Sequence, residues 1–132
     1  MARIIHKDFG LIEVNGSTDF SLRIYRADNE LCVFLEGSEV FRKKTSGDPD
    51  LKGRKVALKL NSGENNLAVI GWNGSAKGHY KWELHYGAGK LEGFSANDSP
   101  TTRNGIAAVY TIRFIVQNLR TARARKKRAR SK

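Results

Sequence analysis

The sequence predicts an all-β, single-domain antiparallel sandwich or barrel of about seven to eight strands, followed by a basic C-terminal tail. Three observations carry that expectation. Apolar and polar residues alternate with period two through most apolar stretches, and turn residues return roughly every eight to twelve positions. No segment before residue 117 sustains a helical period.

Taken in order, Ile4, Ile5, Phe9, Leu11, Ile12 and Val14 spell two short strand pieces, with Gly10 as a bend or bulge between them. Asn15-Gly16 is a hairpin turn signal. Phe20, Leu22 and Ile24 then alternate with Ser21, Arg23 and Tyr25, a half-buried strand. After a turn at Ala27-Asp28-Asn29, Leu31, Val33 and Leu35 face one way while Cys32 and Phe34 face the other. Both faces are apolar, which places this strand centrally with cover on each side. Glu36-Gly37-Ser38-Glu39 turns the chain into a short strand over 40–44.

Residues 45–54 form the first extended loop. Val56, Leu58 and Leu60 alternate with Lys55, Ala57 and Lys59, residues 61–65 turn, and residues 67–72 run as an almost continuous apolar strand. Another turn opens at Asn73-Gly74 and extends to Gly78. Tyr80, Trp82, Leu84 and Tyr86 alternate with Lys81, Glu83 and His85. Residues 87–105, rich in Gly, Asn, Ser and Thr, read as the longest loop, with Leu91 and Phe94 as anchors and a short edge strand over 90–94 as the alternative. In the last strand, 107–116, Tyr110, Ile112, Phe114 and Val116 share the core face, and Val109, Thr111, Arg113 and Ile115 share the other.

A chain of 132 residues suits one β domain, residues 1–119, carrying a tail, residues 120–132. The tail holds eight basic side chains and no acid, so the formal charge of +11 falls to +3 without it. The charge sits mostly at one end. A single cysteine, Cys32, excludes an intramolecular disulfide framework and reads as a small buried residue on a strand. His6, His79 and His85 have no spacing around it that builds a thiol–base pair or a metal site, so neither metal nor cofactor is expected. The opening stretch mixes acid and base before any apolar region forms, unlike a signal peptide, and no run reaches membrane-span length. Cytoplasm, nucleus or virion is the expected location. Asn15-Gly-Ser, Asn73-Gly-Ser and Asn97-Asp-Ser fit the glycosylation sequon but serve better as turn residues.

The tail defines the expected partner. Arg120, Arg123, Arg125, Lys126, Lys127, Arg128, Arg130 and Lys132 repel one another and present no apolar face, so the free segment should be disordered. Its alanines and arginines favour helix, which phosphate neutralisation could induce. Arginine's planar fork suits bidentate phosphate contacts. Lys127-Arg-Ala-Arg130 also fits a nuclear-localisation pattern.

Other constellations carry less. The strand over 80–86 offers aromatics interleaved with Lys81 and His85, as a base-stacking or sugar-binding surface would, yet strict alternation favours a core strand. Trp72, at a strand end beside Asn73-Gly74, is the better exposed aromatic. Arg42, Lys43, Lys44, Lys52, Arg54 and Lys55 could extend the cationic footprint, with Asp48 and Asp50 among them as local counter-charges. The glycines at 74–78 and 87–89 lack a following helix and a Gly-Lys-Ser/Thr sequence, and so do not make a phosphate loop. Glu36, Glu39, Asp48 and Asp50 sit in turns without a partner nucleophile, so no enzyme is expected. The motifs of the common RNA- and DNA-binding modules are missing from the sequence. Residues 66–72 together with 81–86 are similar to strands of β-sandwich lectins and pore-forming toxins over a small part of the chain, and carry no binding residue across.

These observations predict a non-enzymatic protein that binds RNA or DNA with little sequence preference. The tail is the anchor, and Arg42, Lys44 and Trp72 are candidates on the folded surface. Two other roles fit the same features: a small viral or phage coat subunit that self-assembles and packages genome with the tail, and a glycan-binding β-sandwich module. A homo-oligomer or larger assembly suits the coat role. No membrane partner is expected.

Overall fold

The computed structural model describes residues 4–44, 50–74 and 78–117. Those residues build an all-β structure of nine strands: β1 (Ile5–Val14), β2 (Phe20–Asp28), β3 (Glu30–Leu35), β4 (Ser38–Lys44), β5 (Asp50–Leu58), β6 (Gly63–Asn73), β7 (His79–Tyr86), β8 (Gly89–Asp98) and β9 (Gly105–Val116). One sheet has five strands in the order β1-β9-β6-β3-β4, and the other has four in the order β5-β2-β7-β8.

The alternation expected from the sequence decides which side of each strand is buried. On β9, Tyr110, Ile112, Phe114 and Val116 are buried, and on β7 so are Tyr80, Trp82 and Leu84. These faces meet across the two sheets. Trp82 of β7 lies edge-on to Tyr110 of β9, with ring centroids 5.4 Å apart, and Phe20 of β2 packs edge-on to Phe114 of β9 at 5.2 Å. Such aromatic pairs add to the burial of large apolar area. The strand over 31–35 is central in its sheet, between β4 and β6, but among the described residues only one of its faces is covered by the second sheet; Cys32 on the outer face is 6% exposed.

Several expectations change. There are nine strands rather than seven or eight, and neither sheet closes on itself, which removes the barrel. The pairing is not wholly antiparallel, because β1 runs parallel to β9. The long loop over 87–105 is mostly β8, an edge strand that pairs with β7. Edge strands need few inward side chains, and β8 buries only Ala96 fully. Residues 50–54 of the expected loop over 45–54 belong to β5, where left-handed residues Lys52 and Gly53 (φ 54° and 73°) interrupt the alternation. Gly10, at φ 92°, does mark an irregularity, but within one strand, where the β1–β9 register shifts.

Each open side of the stack is bridged between sheets. On one side Lys7 Nζ of β1 is 3.0 Å from the Asp98 carboxylate of β8, which also accepts a 2.9 Å hydrogen bond from Tyr110 Oη. On the other, the Arg54 guanidinium of β5 lies 5.5 Å from the ring centroid of Phe41 on β4.

One close approach ties β6 to β7. A Cβ on Gly71 would sit 2.7 Å from Tyr80 Cζ, so the Tyr80 ring fills the space that any side chain would need. Tyr80 Oη in turn donates to the Asn73 side-chain oxygen. Gly71→Ala is expected to lower unfolding free energy by about 2–3 kcal/mol, read as a reduced urea midpoint, because a packed ring and a central strand cannot both yield.

Candidate nucleic-acid interface

The three folded-surface candidates named by the sequence come together. Strand β6 pairs β3, and β3 pairs β4, in a register that sets Trp72 opposite Glu30 and Glu30 opposite Lys44. Directly opposite residues of paired strands point to the same side of the sheet. Trp72, Glu30 and Lys44 thus form one row across the outer face of the five-stranded sheet. Ile106 of β9 extends the row beyond Trp72. The next row holds Val109, Ile70, Cys32 and Arg42.

Trp72 is 37% exposed and Ile106 is 51% exposed. Beside the indole is an open depression of about 240 Å³, walled by Asn29, Glu30, Lys44, Gly74 and Asn104. Arg42 is engaged within the protein: its Nε is 2.6 Å from Glu39 Oε1, and its guanidinium also bonds Glu30. Hydrogen bonding to Glu39 and its charge hold the guanidinium pKa above the ordinary arginine value. The charge that Arg42 brings is offset by two carboxylates, which leaves Lys44 as the cation that lines the Trp72 depression.

The remaining basic candidates divide between two edge strands on one side of the stack. Arg42, Lys43 and Lys44 are on β4, and Lys52, Arg54 and Lys55 are on β5. Charged edges also discourage edge-to-edge pairing with other chains. The Asp50 carboxylate accepts the Lys52 backbone N–H at 2.9 Å. Asp48 lies outside the described residues.

A second basic surface escaped the sequence reading. On the outer face of the four-stranded sheet, Lys55, Arg23 and Glu83 form a row across β5, β2 and β7, and Arg26 and Lys81 pair beside it. Tyr25 lies among them, with the Lys81 ammonium 5.6 Å from its ring centroid and its hydroxyl donating to Glu83 Oε1 at 3.3 Å. Burial raises the Tyr25 hydroxyl pKa, and the Glu83 charge adds to the rise. Burial pushes the Glu83 carboxyl the opposite way from its neighbours, but His85, Lys90 and Tyr25 outweigh it and hold that carboxyl below its usual range. The residues were legible as polar positions. Only the register shows that they adjoin.

The aromatic strand resolves toward core. Tyr80 and Trp82 are fully buried, while Tyr86, 44% exposed, packs on Phe20 with centroids 4.8 Å apart. Cys32 is buried, and desolvation raises its thiol pKa despite the nearby Arg42 charge. The thiol therefore stays protonated at neutral pH. Alkylation of native Cys32 by iodoacetamide is expected to be at least about tenfold slower than in urea-unfolded protein.

Arg120, Arg123, Arg125, Lys126, Lys127, Arg128, Arg130 and Lys132 all lie outside the described residues. Their point of departure is well held. Val116 is 2% exposed and pairs Val14 on one side and Gly63 on the other, and the Gln117 N–H donates to Val14 O at 3.2 Å. No protein-family model, curated protein or solved structure matches the chain. The surface must be judged by its own chemistry.

Proposed function

We propose that this chain is a non-enzymatic nucleic-acid-binding protein, a two-layered β body whose C-terminal residues make largely non-sequence-specific phosphate contacts. The observation that carries the proposal is the block of eight cations and no acid over residues 120–132. A dense run of cations neutralises phosphates and releases counterions, contacts that carry no sequence information. Arg120 through Lys132 supply the electrostatic anchor, and Lys44 and Trp72 add contacts from the body. Lys55, Arg23, Arg26 and Lys81 on the outer face of the four-stranded sheet support the proposal, because a polyanion held at one end of the chain then meets further cations on the domain. The test is salt-titrated binding of labelled RNA and DNA to the full chain and to a chain ending at Leu119. Equal affinity of the two at low salt overturns the proposal.

A second reading, a self-assembling coat subunit, is favoured by the outer face of the five-stranded sheet. Leu11, Trp72, Ile106 and Ile115 are all exposed there. Apolar side chains exposed at both ends of one sheet face suit an interface between subunits. Electron microscopy of the purified chain separates the two readings: closed particles favour a coat, whereas a monomer or dimer removes it.

A further inference from the structure

We infer that the depression beside Trp72 is a base-stacking subsite, which takes one unpaired nucleobase of a single-stranded nucleic acid. The inference rests on the nucleic-acid reading above and narrows it from any phosphate polymer to strands with free bases.

Four features point the same way. The first is the contrast between the two tryptophans: Trp82 is fully buried in the core, while Trp72 opens onto solvent at 37% exposure. An indole face is a sequence-tolerant partner for a base, because every base offers a π-face to stack on. The second is the company of the ring. Lys44 stands across Glu30 from it, within the same depression, where a cation meets the phosphate next to a stacked base. Asn104 lies on the rim, and a side-chain amide carries both donor and acceptor groups to meet a base edge.

The third feature is preorganisation. Trp72 belongs to β6, which is hydrogen-bonded to β3 on one side and β9 on the other. The adjacent Asn73, 1% exposed, donates from Nδ2 to Thr102 O at 2.8 Å and to Pro100 O at 3.4 Å. The Asn104 N–H donates to Gly74 O at 2.7 Å. The rim is thus stitched to the strand that carries the indole, and little ordering remains to be done on binding. The fourth is shape. Ile106 and Ile70 continue the apolar strip beside the ring, giving a shallow open site that a splayed strand enters from its side. Inside a duplex each base has both faces stacked on its neighbours and is closed to such a site.

The tail can work together with it. Trp72 pairs Ile106, ten residues along β9 from Val116, a span of roughly 33 Å at 3.3 Å per residue. The residues beyond Gln117 number fifteen and reach at most roughly 50 Å when extended. A strand gripped by the tail therefore falls within range of the subsite.

The test uses the full chain with short oligo-dT and oligo-rU, and with a blunt duplex of equal phosphate count. Trp72→Ala is expected to weaken binding of the single strands about tenfold while leaving the duplex unchanged. Trp72→Phe keeps a stacking ring and should restore most of that affinity. Tryptophan emission should be quenched by oligo-dT in the native chain and lose its quench in Trp72→Phe, since Trp82 is fully buried. A drop confined to one sugar identifies DNA or RNA as the ligand. Three outcomes overturn the inference: an equal loss on duplex, no loss on single strands, or a quench that persists in Trp72→Phe. A glycan or protein site at the indole gives the second of these. The Leu119 truncation reports separately on the tail, so loss of its effect with the Trp72 effect intact removes only the tail, and a full chain that binds none of the probes removes both.

Discussion

Raising monovalent salt from about 50 mM to about 200 mM is expected to weaken nucleic-acid binding by the full chain roughly a thousandfold to a hundred-thousandfold. The expectation follows from counting cations rather than from any one geometry. Eight side chains over residues 120–132 are basic, and each phosphate they neutralise adds about 0.7 (single strand) to 0.9 (duplex) to the slope of log affinity against log salt. Ending the chain at Leu119 leaves a formal charge of +3, so the slope should fall to about that of two or three contacts. The same salt step then costs the truncated chain only about ten- to fiftyfold. Fluorescence anisotropy of a labelled oligonucleotide at several salt concentrations measures both slopes. A full-chain slope no steeper than that of the truncated chain would mean that the tail does not touch phosphate.

That charge block was plain in the sequence because it depends on composition alone. Much of the fold was legible for a related reason: burial acts residue by residue along a strand. Tyr110, Ile112 and Phe114 could be assigned to the core of β9 from alternation, and so could Tyr80, Trp82 and Leu84 of β7. Tyr86 broke the pattern, because it ends its strand at the β7–β8 turn and is 44% exposed. Features created by pairing were not legible. Strand β8 owes its existence to β7 rather than to its own side chains, as the partners Tyr80 with Asp98 and Trp82 with Ala96 show. The parallel pairing of Ile5 with Ala108 joins the two ends of the chain, a separation across which local patterns carry no direction. The site divides along the same line. Trp72 stood out from its position at a strand end, whereas its alignment with Glu30 and Lys44 depends on two registers at once. A shift of one residue in either would send one side chain of the row to the opposite face.

Trp82→Ala is expected to lower unfolding free energy by about 3–5 kcal/mol, out of a total of roughly 5–15 kcal/mol for a domain of this kind. The size of the loss comes from where the ring sits. Trp82 is fully buried on β7, edge-on to Phe9 of β1 at 5.4 Å and 71° and to Tyr110 of β9 at 5.4 Å and 80°. It is thus the wedge between the two sheets, and alanine would leave a void that three strands line and none can fill without moving. Trp82→Phe separates volume from polarity. Among the described residues the buried indole Nε1 has no hydrogen-bond partner, so phenylalanine removes an unpaired donor along with part of the ring. Its cost should stay below about 2 kcal/mol. Urea midpoints of the two variants measure the difference. Trp72→Ala belongs in the same series, because a side chain already 37% exposed should shift the midpoint little while changing single-strand affinity. Trp82→Ala with an unshifted midpoint would remove β7 from the core, and with it the face-to-face packing of the two sheets.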